Sequence, residues 1–198
     1  MNWIKLPAWY LLFSTVMFFS GDFVFTQLFF GENNEKKYRI RHEYFDHTLL
    51  SNFDGNGTWG PLTYRVCTNY LGLKDDCSKT KTSGNKFDIA FIGDSFTEAM
   101  GMRYEDSFVG MFSASYPNLK VANLGVASYA PSVYLKKIEW FLDKGIVFDH
   151  LIVFIDISDI QDEAIFYFEK DNGSLGMYDH SKEASSLMKV KIFVQNNF

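Results

Sequence analysis

The sequence has no excess of positive charge: 19 Lys and Arg stand against 24 Asp and Glu, a formal net charge of -5. A nucleic-acid binder needs a basic face for the phosphates, so this balance speaks against that class. Cysteine is scarce as well. The two present form no Cys-x-x-Cys and no Cys/His spacing of the zinc type. No internal repeat is visible, which sets aside solenoids and propellers. Charged residues are only 22% against 47% hydrophobic, which excludes wholesale disorder. A chain of 198 residues suits one domain with a real core and an appendage.

Aromatic side chains are abundant instead, with 21 Phe and 11 Tyr. Part of that excess lies in Leu6 to Phe30, LPAWYLLFSTVMFFSGDFVFTQLFF. This segment is long enough for a helix to cross a hydrocarbon core of roughly 30 Å. Trp3, Trp9 and Tyr10 suit an interface, and Asp22 lies toward the far end, where a carboxylate costs less. The reading is an uncleaved membrane anchor over 1–31. A signal peptide is the rival, with Leu11 to Phe19 of the right length but no clean small-x-small site after it.

Orientation is pulled two ways. Lys36, Lys37, Arg39 and Arg41 follow the segment, and the positive-inside rule would keep the main body cytoplasmic. Cys67 and Cys77 lie in one short polar stretch, and a pair closing a short loop suits an oxidising, extracytoplasmic compartment. Two free thiols remain the alternative.

Residues 32–86 form a polar, aromatic-dotted lead-in with turn signals at Asp54-Gly55, Asn56-Gly57 and Trp59-Gly60-Pro61. They are expected to pack on the main domain without a core of their own. Residues 87–198 are regular. Three apolar runs, FDIAFIG from Phe87, LKVANLG from Leu119 and LIVFIDI from Leu151, read as buried parallel strands. Between them, Tyr104 to Ser115 carries Phe108, Met111 and Phe112 on one helical face. Ala130 to Lys144 carries Val133, Lys137, Trp140 and Phe141 on another. The order predicts an α/β fold, a central parallel sheet in a three-layer α/β/α arrangement, with sites at the carboxyl ends of the strands.

Each strand ends in polar residues. Ser95, in Gly93-Asp94-Ser95, would present its hydroxyl beside the free N–H groups of a helix start. Gly125, in Asn123-Leu124-Gly125, offers a backbone N–H that a ligand can approach. Asp156-Ile157-Ser158-Asp159 reads as a helix cap at the sheet's rim. Taken singly, capping and tight turns explain all three.

Taken in order, the blocks GDSFTE, NLGVAS and ISD resemble those of the SGNH hydrolases, the GDSL-like esterases and acetyl-transfer domains, over about Phe87 to Glu163. Thr68-Asn69-Tyr70-Leu71-Gly72 resembles a stretch that precedes such domains in membrane-anchored bacterial members. The resemblance implies a flavodoxin-like sheet and Ser95 as nucleophile. The N–H groups of Ser95 and Gly125 would hold the oxyanion, and Asp94 would fix the turn. Ser158 stands where the family has an oxyanion Asn, followed by Asp159. The implied activity is hydrolysis or transfer of an acyl ester, most plausibly acetyl on an envelope carbohydrate, with no cofactor and no metal.

The family's Asp-x-x-His is missing. His42 and His47 precede the domain, His150 opens the third strand away from the site, and His180 follows Asp179 in a polar loop. A serine without a base is a weak nucleophile near neutral pH. The sheet is expected to be short of its last strands at the C-terminal end. Leu187 to Val194 reads equally as strand or helix. The competing function is therefore a non-catalytic envelope protein that binds a glycan or a partner in the same cleft. A last reading gathers Asp156, Asp159, Asp162 and Glu163 into a hard-cation site, but such a site needs converging ligands rather than neighbours in sequence. The sequence leaves the oligomeric state open.

Overall fold

The computed structural model describes residues 5–29, 37–78 and 84–178, with the side chains of the first helix described over 9–25. His180 and the 187–194 segment lie outside the described residues.

Helix α1, Lys5–Phe29, has 25 residues. At 1.5 Å per residue it is about 37 Å long. Every described side chain from Trp9 to Phe25 is exposed, apolar ones on all sides included. Among the described residues no helix is long and apolar enough to cross a membrane.

Two antiparallel hairpins follow. Strand β1 (Arg39–His42) pairs with β2 (Asp46–Leu49), and β3 (Asp54–Trp59) pairs with β4 (Leu62–Cys67). Gly60-Pro61 makes the expected turn between the second pair. The other two turn signals are corrected: Asp54-Gly55 and Asn56-Gly57 lie within β3. A Cβ on Gly55 would meet the Phe53 ring at 2.6 Å, and one on Gly57 would meet Val66 at 2.9 Å and Tyr64 at 3.0 Å. These glycines make room for rings lying across the strand. Cys67 and Cys77 are joined in a disulfide.

The rest is mixed α/β around a three-stranded parallel sheet ordered β6-β5-β7. Strand β5 is Lys86–Ile92, β6 is Val121–Asn123 and β7 is Val147–Val153. The third strand starts and stops four residues earlier than the apolar run suggested. Asp156 ends that run by capping helix α5 (Ile157–Phe166), with Asp156 and Asp159 forming a reciprocal capping box. His150 consequently lies inside β7, opposite Ile89, rather than at its start.

Helix α2 is the single turn Ser95–Glu98, and α3 is Phe108–Ser115. Tyr104–Asp106, expected to belong to α3, is a separate 3-10 turn, because the Ser107 hydroxyl caps α3 by accepting from Gly110 N at 3.0 Å. That shift turns Val109 inward and leaves Phe108 and Met111 exposed. Helix α4, Pro131–Asp143, buries Val133, Lys137 and Phe141 as its spacing predicts. A short hairpin, β8 (Tyr167–Glu169) with β9 (Leu175–Met177), closes the described chain.

The first two hairpins contribute to the same core as the sheet. Tyr38, Phe45, Leu49, Tyr64, Val66 and Leu73 pack in one cluster with Phe87, Ile92, Leu124, Val133 and Phe141.

Candidate functional site

The loops after β5, β6 and β7 meet at one rim of the sheet. Gly93 leaves β5 where a Cβ would run into the Thr97 side chain and approach Phe154 O. Asp94 then caps α2: its Oδ1 accepts from Phe96 N at 2.9 Å, and its Oδ2 accepts from Ser95 Oγ at 3.2 Å. Ser95 is half-buried at the first position of that turn. No histidine of the described residues hydrogen bonds to it.

The second block docks on the first. Asn123 Nδ2 donates to Thr97 O at 2.8 Å, and Asn123 Oδ1 accepts from Gly125 N at 3.0 Å. Gly125 lies so close to α2 that a Cβ there would meet Glu98 N at 2.6 Å and Thr97 Cβ at 2.7 Å. The missing side chain thus serves close packing, and the N–H read as an oxyanion donor is given to Asn123.

The third block joins them through carboxylates. Asp156 Oδ1 accepts from the backbone N and the hydroxyl of Ser158, so both Ser158 donors are committed to the cap. Asp159, buried, accepts at Oδ2 from Tyr134 OH at 2.8 Å and from Asp156 N at 3.0 Å. One oxygen each of Asp94, Asp156 and Asp159 lies within 4.8 Å of the others. Burial, with Asp94 and Asp156 nearby, pushes the Asp159 carboxyl above its ordinary range despite its two donors. Asp162 is pushed the same way by burial and the same acids. Glu163 instead accepts from Ser132 N at 2.8 Å.

Sequence reasoning missed a buried polar scaffold under these loops. Glu98 is fully buried and holds Arg39 at Oε1 (2.8 Å) and Ala127 N at Oε2 (2.7 Å). Lys137 donates to Leu124 O at 2.9 Å and to Tyr129 OH at 3.2 Å, and burial lowers its pKa to about 7. Lys74 donates to Ala99 O at 2.7 Å and Met102 O at 2.8 Å, with its pKa lowered by burial to about 8. The ring of His47 sits between Asp46 Oδ2 and Ala127 O, at 2.8 Å from each. Its neighbours Arg39, Arg41, Asp46, Ala127 and Ser128 help line a cavity of about 350 Å³. His42 turns inward differently, accepting from Tyr44 N and Phe45 N and stacking on Phe45. Burial, with the Lys137 charge, lowers its pKa. Only the Asp-His dipeptide itself signalled the His47 pair, and nothing in the sequence linked it to residue 127.

Comparison of the chain with family models, with curated proteins and with solved structures returned no match.

Proposed function

We propose that this chain is a serine acyl-ester hydrolase or O-acyl transferase of the SGNH type, working on an acylated envelope carbohydrate. The observation that carries this reading is the position of Ser95. It opens a helical turn at the carboxyl end of the central strand β5, on Asp94, with the NLG and ISD blocks packed beside it. In the reaction Ser95 Oγ bonds to the acyl carbon. The ester C–O bond breaks, and the alcohol leaves with the serine proton. The oxygen of water or a sugar hydroxyl then bonds to the acyl carbon, the Ser95 Oγ–acyl bond breaks, and the incoming group's proton returns to Ser95 Oγ. The finer architecture in this reading is a three-layer α/β/α domain of SGNH kind. The exposed apolar surface of α1 supports a membrane anchor, and the Cys67–Cys77 disulfide supports an oxidising compartment for the domain.

A second reading, a non-catalytic glycan- or partner-binding domain, is favoured by one observation. The Gly125 N–H and both Ser158 donors are already committed, and no histidine of the described residues hydrogen bonds to Ser95. Incubation with p-nitrophenyl acetate followed by intact mass measurement separates the two. An acetyl adduct that disappears in Ser95→Ala supports the enzyme. No adduct and no turnover in the folded wild type sinks it.

A further inference from the structure

The carboxylates beside Ser95 carry more than caps. Asp94 follows the end of β5, and Asp156 and Asp159 are the cap and first turn of α5, which follows β7. They converge as sequence neighbours alone would not, each offering an oxygen within 4.8 Å of the other two. Ion pairs among the described residues engage other acids, such as Glu98, Asp46, Asp149 and Glu169. Among the described residues, the three face one another without an ion pair to a lysine or arginine.

Asp156 and Asp159 each keep one oxygen without a hydrogen bond, while Asp94 accepts one bond at each oxygen, from Phe96 N and Ser95 Oγ. All the capping bonds to Asp156 fall on Oδ1. Asp159 accepts only at Oδ2, while its Oδ1 is buried with no hydrogen-bond partner and the residue is 1% exposed. A buried carboxylate oxygen without a donor is costly unless a positive charge meets it. The donor set is oxygen only, the preference of hard cations rather than of zinc or copper.

We propose that Asp94, Asp156 and Asp159 bind one hard divalent cation, of the calcium or magnesium kind, at the joint rim of β5 and β7. The site differs from the acidic run of the sequence. It recruits Asp94 from some sixty positions away and leaves out Glu163, which is occupied by Ser132. It ties the Ser95 turn to the start of α5, so the bound ion would brace the two loops against each other. The inference does not depend on whether Ser95 turns over an ester.

The test uses the full chain stripped with chelator, then titrated with Ca²⁺ or Mg²⁺ alone. Calorimetry is expected to show one ion per chain. At ten times Kd the melting temperature is expected to rise by about 3 °C. Asp159→Asn and Asp94→Asn should each weaken binding at least tenfold, while Glu163→Gln binds as the wild type does. Asp94→Asn carries the comparison if Asp159→Asn fails to fold. The proposal is overturned if neither ion gives heat or a melting shift at about 10 mM, above the range of weak extracellular calcium modules. Binding undiminished in Asp94→Asn overturns it as well, since the ion would then sit elsewhere.

Discussion

Glu98 Oε1 lies 2.8 Å from Arg39 Nη2, with the Glu98 side chain 1% exposed and that of Arg39 16%. This ion pair fastens the first hairpin to the turn that carries Ser95, and the other Glu98 oxygen fastens the same turn to Ala127. Truncating one partner of a buried pair leaves the other's charge in a poor solvent. Glu98→Ala is expected to cost about 3–5 kcal/mol, read as a fall in the urea midpoint, with Glu98→Gln costing less because the amide still accepts from Ala127 N. An exposed pair such as Arg103–Asp106 should cost far less when broken in the same way, because water screens it.

Gly125→Ala tests what that glycine is for. The added methyl would meet Glu98 N and Thr97 Cβ at 2.6 and 2.7 Å, backbone and β-carbon atoms that cannot swing aside. Overpacking of this kind costs about 1–3 kcal/mol or more. A folded Gly125→Ala protein with unchanged stability would show that the loop does not sit on α2 as described. Asn123→Ala makes the complementary change, since it frees the Gly125 N–H. If that group serves an oxyanion, acyl transfer should survive the substitution while stability falls.

How much of this was legible in the sequence depends on the range over which each signal acts. The buried stripe of α4 and the order of the three parallel strands were readable, because helical spacing and apolar runs are local. Gly57 was misread as a turn because its neighbours Val66, Tyr64 and Tyr38 come from elsewhere in the chain, and Gly55 because the Phe53 ring it makes room for folds back over it. The end of β7 was misplaced because one apolar run covers both the strand and the first residue of α5, and only the Asp156–Asp159 capping box divides it. The acidic cluster and the His47–Ala127 contact join segments about sixty to eighty positions apart, and pairings of that kind leave no mark in a single sequence.

The disulfide closes a short loop between residues ten positions apart. Loop-closure entropy for such a ring is worth about 2–3 kcal/mol in the unfolded chain. The Cys67→Ser/Cys77→Ser double variant should lose stability by about that amount. An equal melting temperature with and without reductant would show the bond absent from the folded protein.

Lys137 gives the molecule a pH dependence of the same sign as acid denaturation, stability rising with pH, but in the neutral-to-alkaline range. Its amine is fully buried, and desolvation lowers its pKa from 10.5 to about 7. Above pH 7 the folded form gives up its proton while the unfolded form keeps its own until about pH 10.5. The unfolded state then binds more protons, so stability rises with pH across that window. Lys74, lowered by burial to about 8, adds a rise of the same sign that begins a unit later. Lys137→Met puts an unbranched apolar side chain where the Lys137 amine sits among the rings of Phe45, Tyr129 and Phe141, and removes the titration. Chemical denaturation between pH 6 and 10 should show the wild type gaining stability and Lys137→Met gaining less, with the residual slope assigned to Lys74. The same variant gives up the bond to Leu124 O, next to Gly125. Amide exchange across residues 124–128 should therefore quicken in Lys137→Met at every pH. A wild-type profile that is flat from pH 7 to 10 would place the Lys137 amine in contact with water and remove it as a support of the loop.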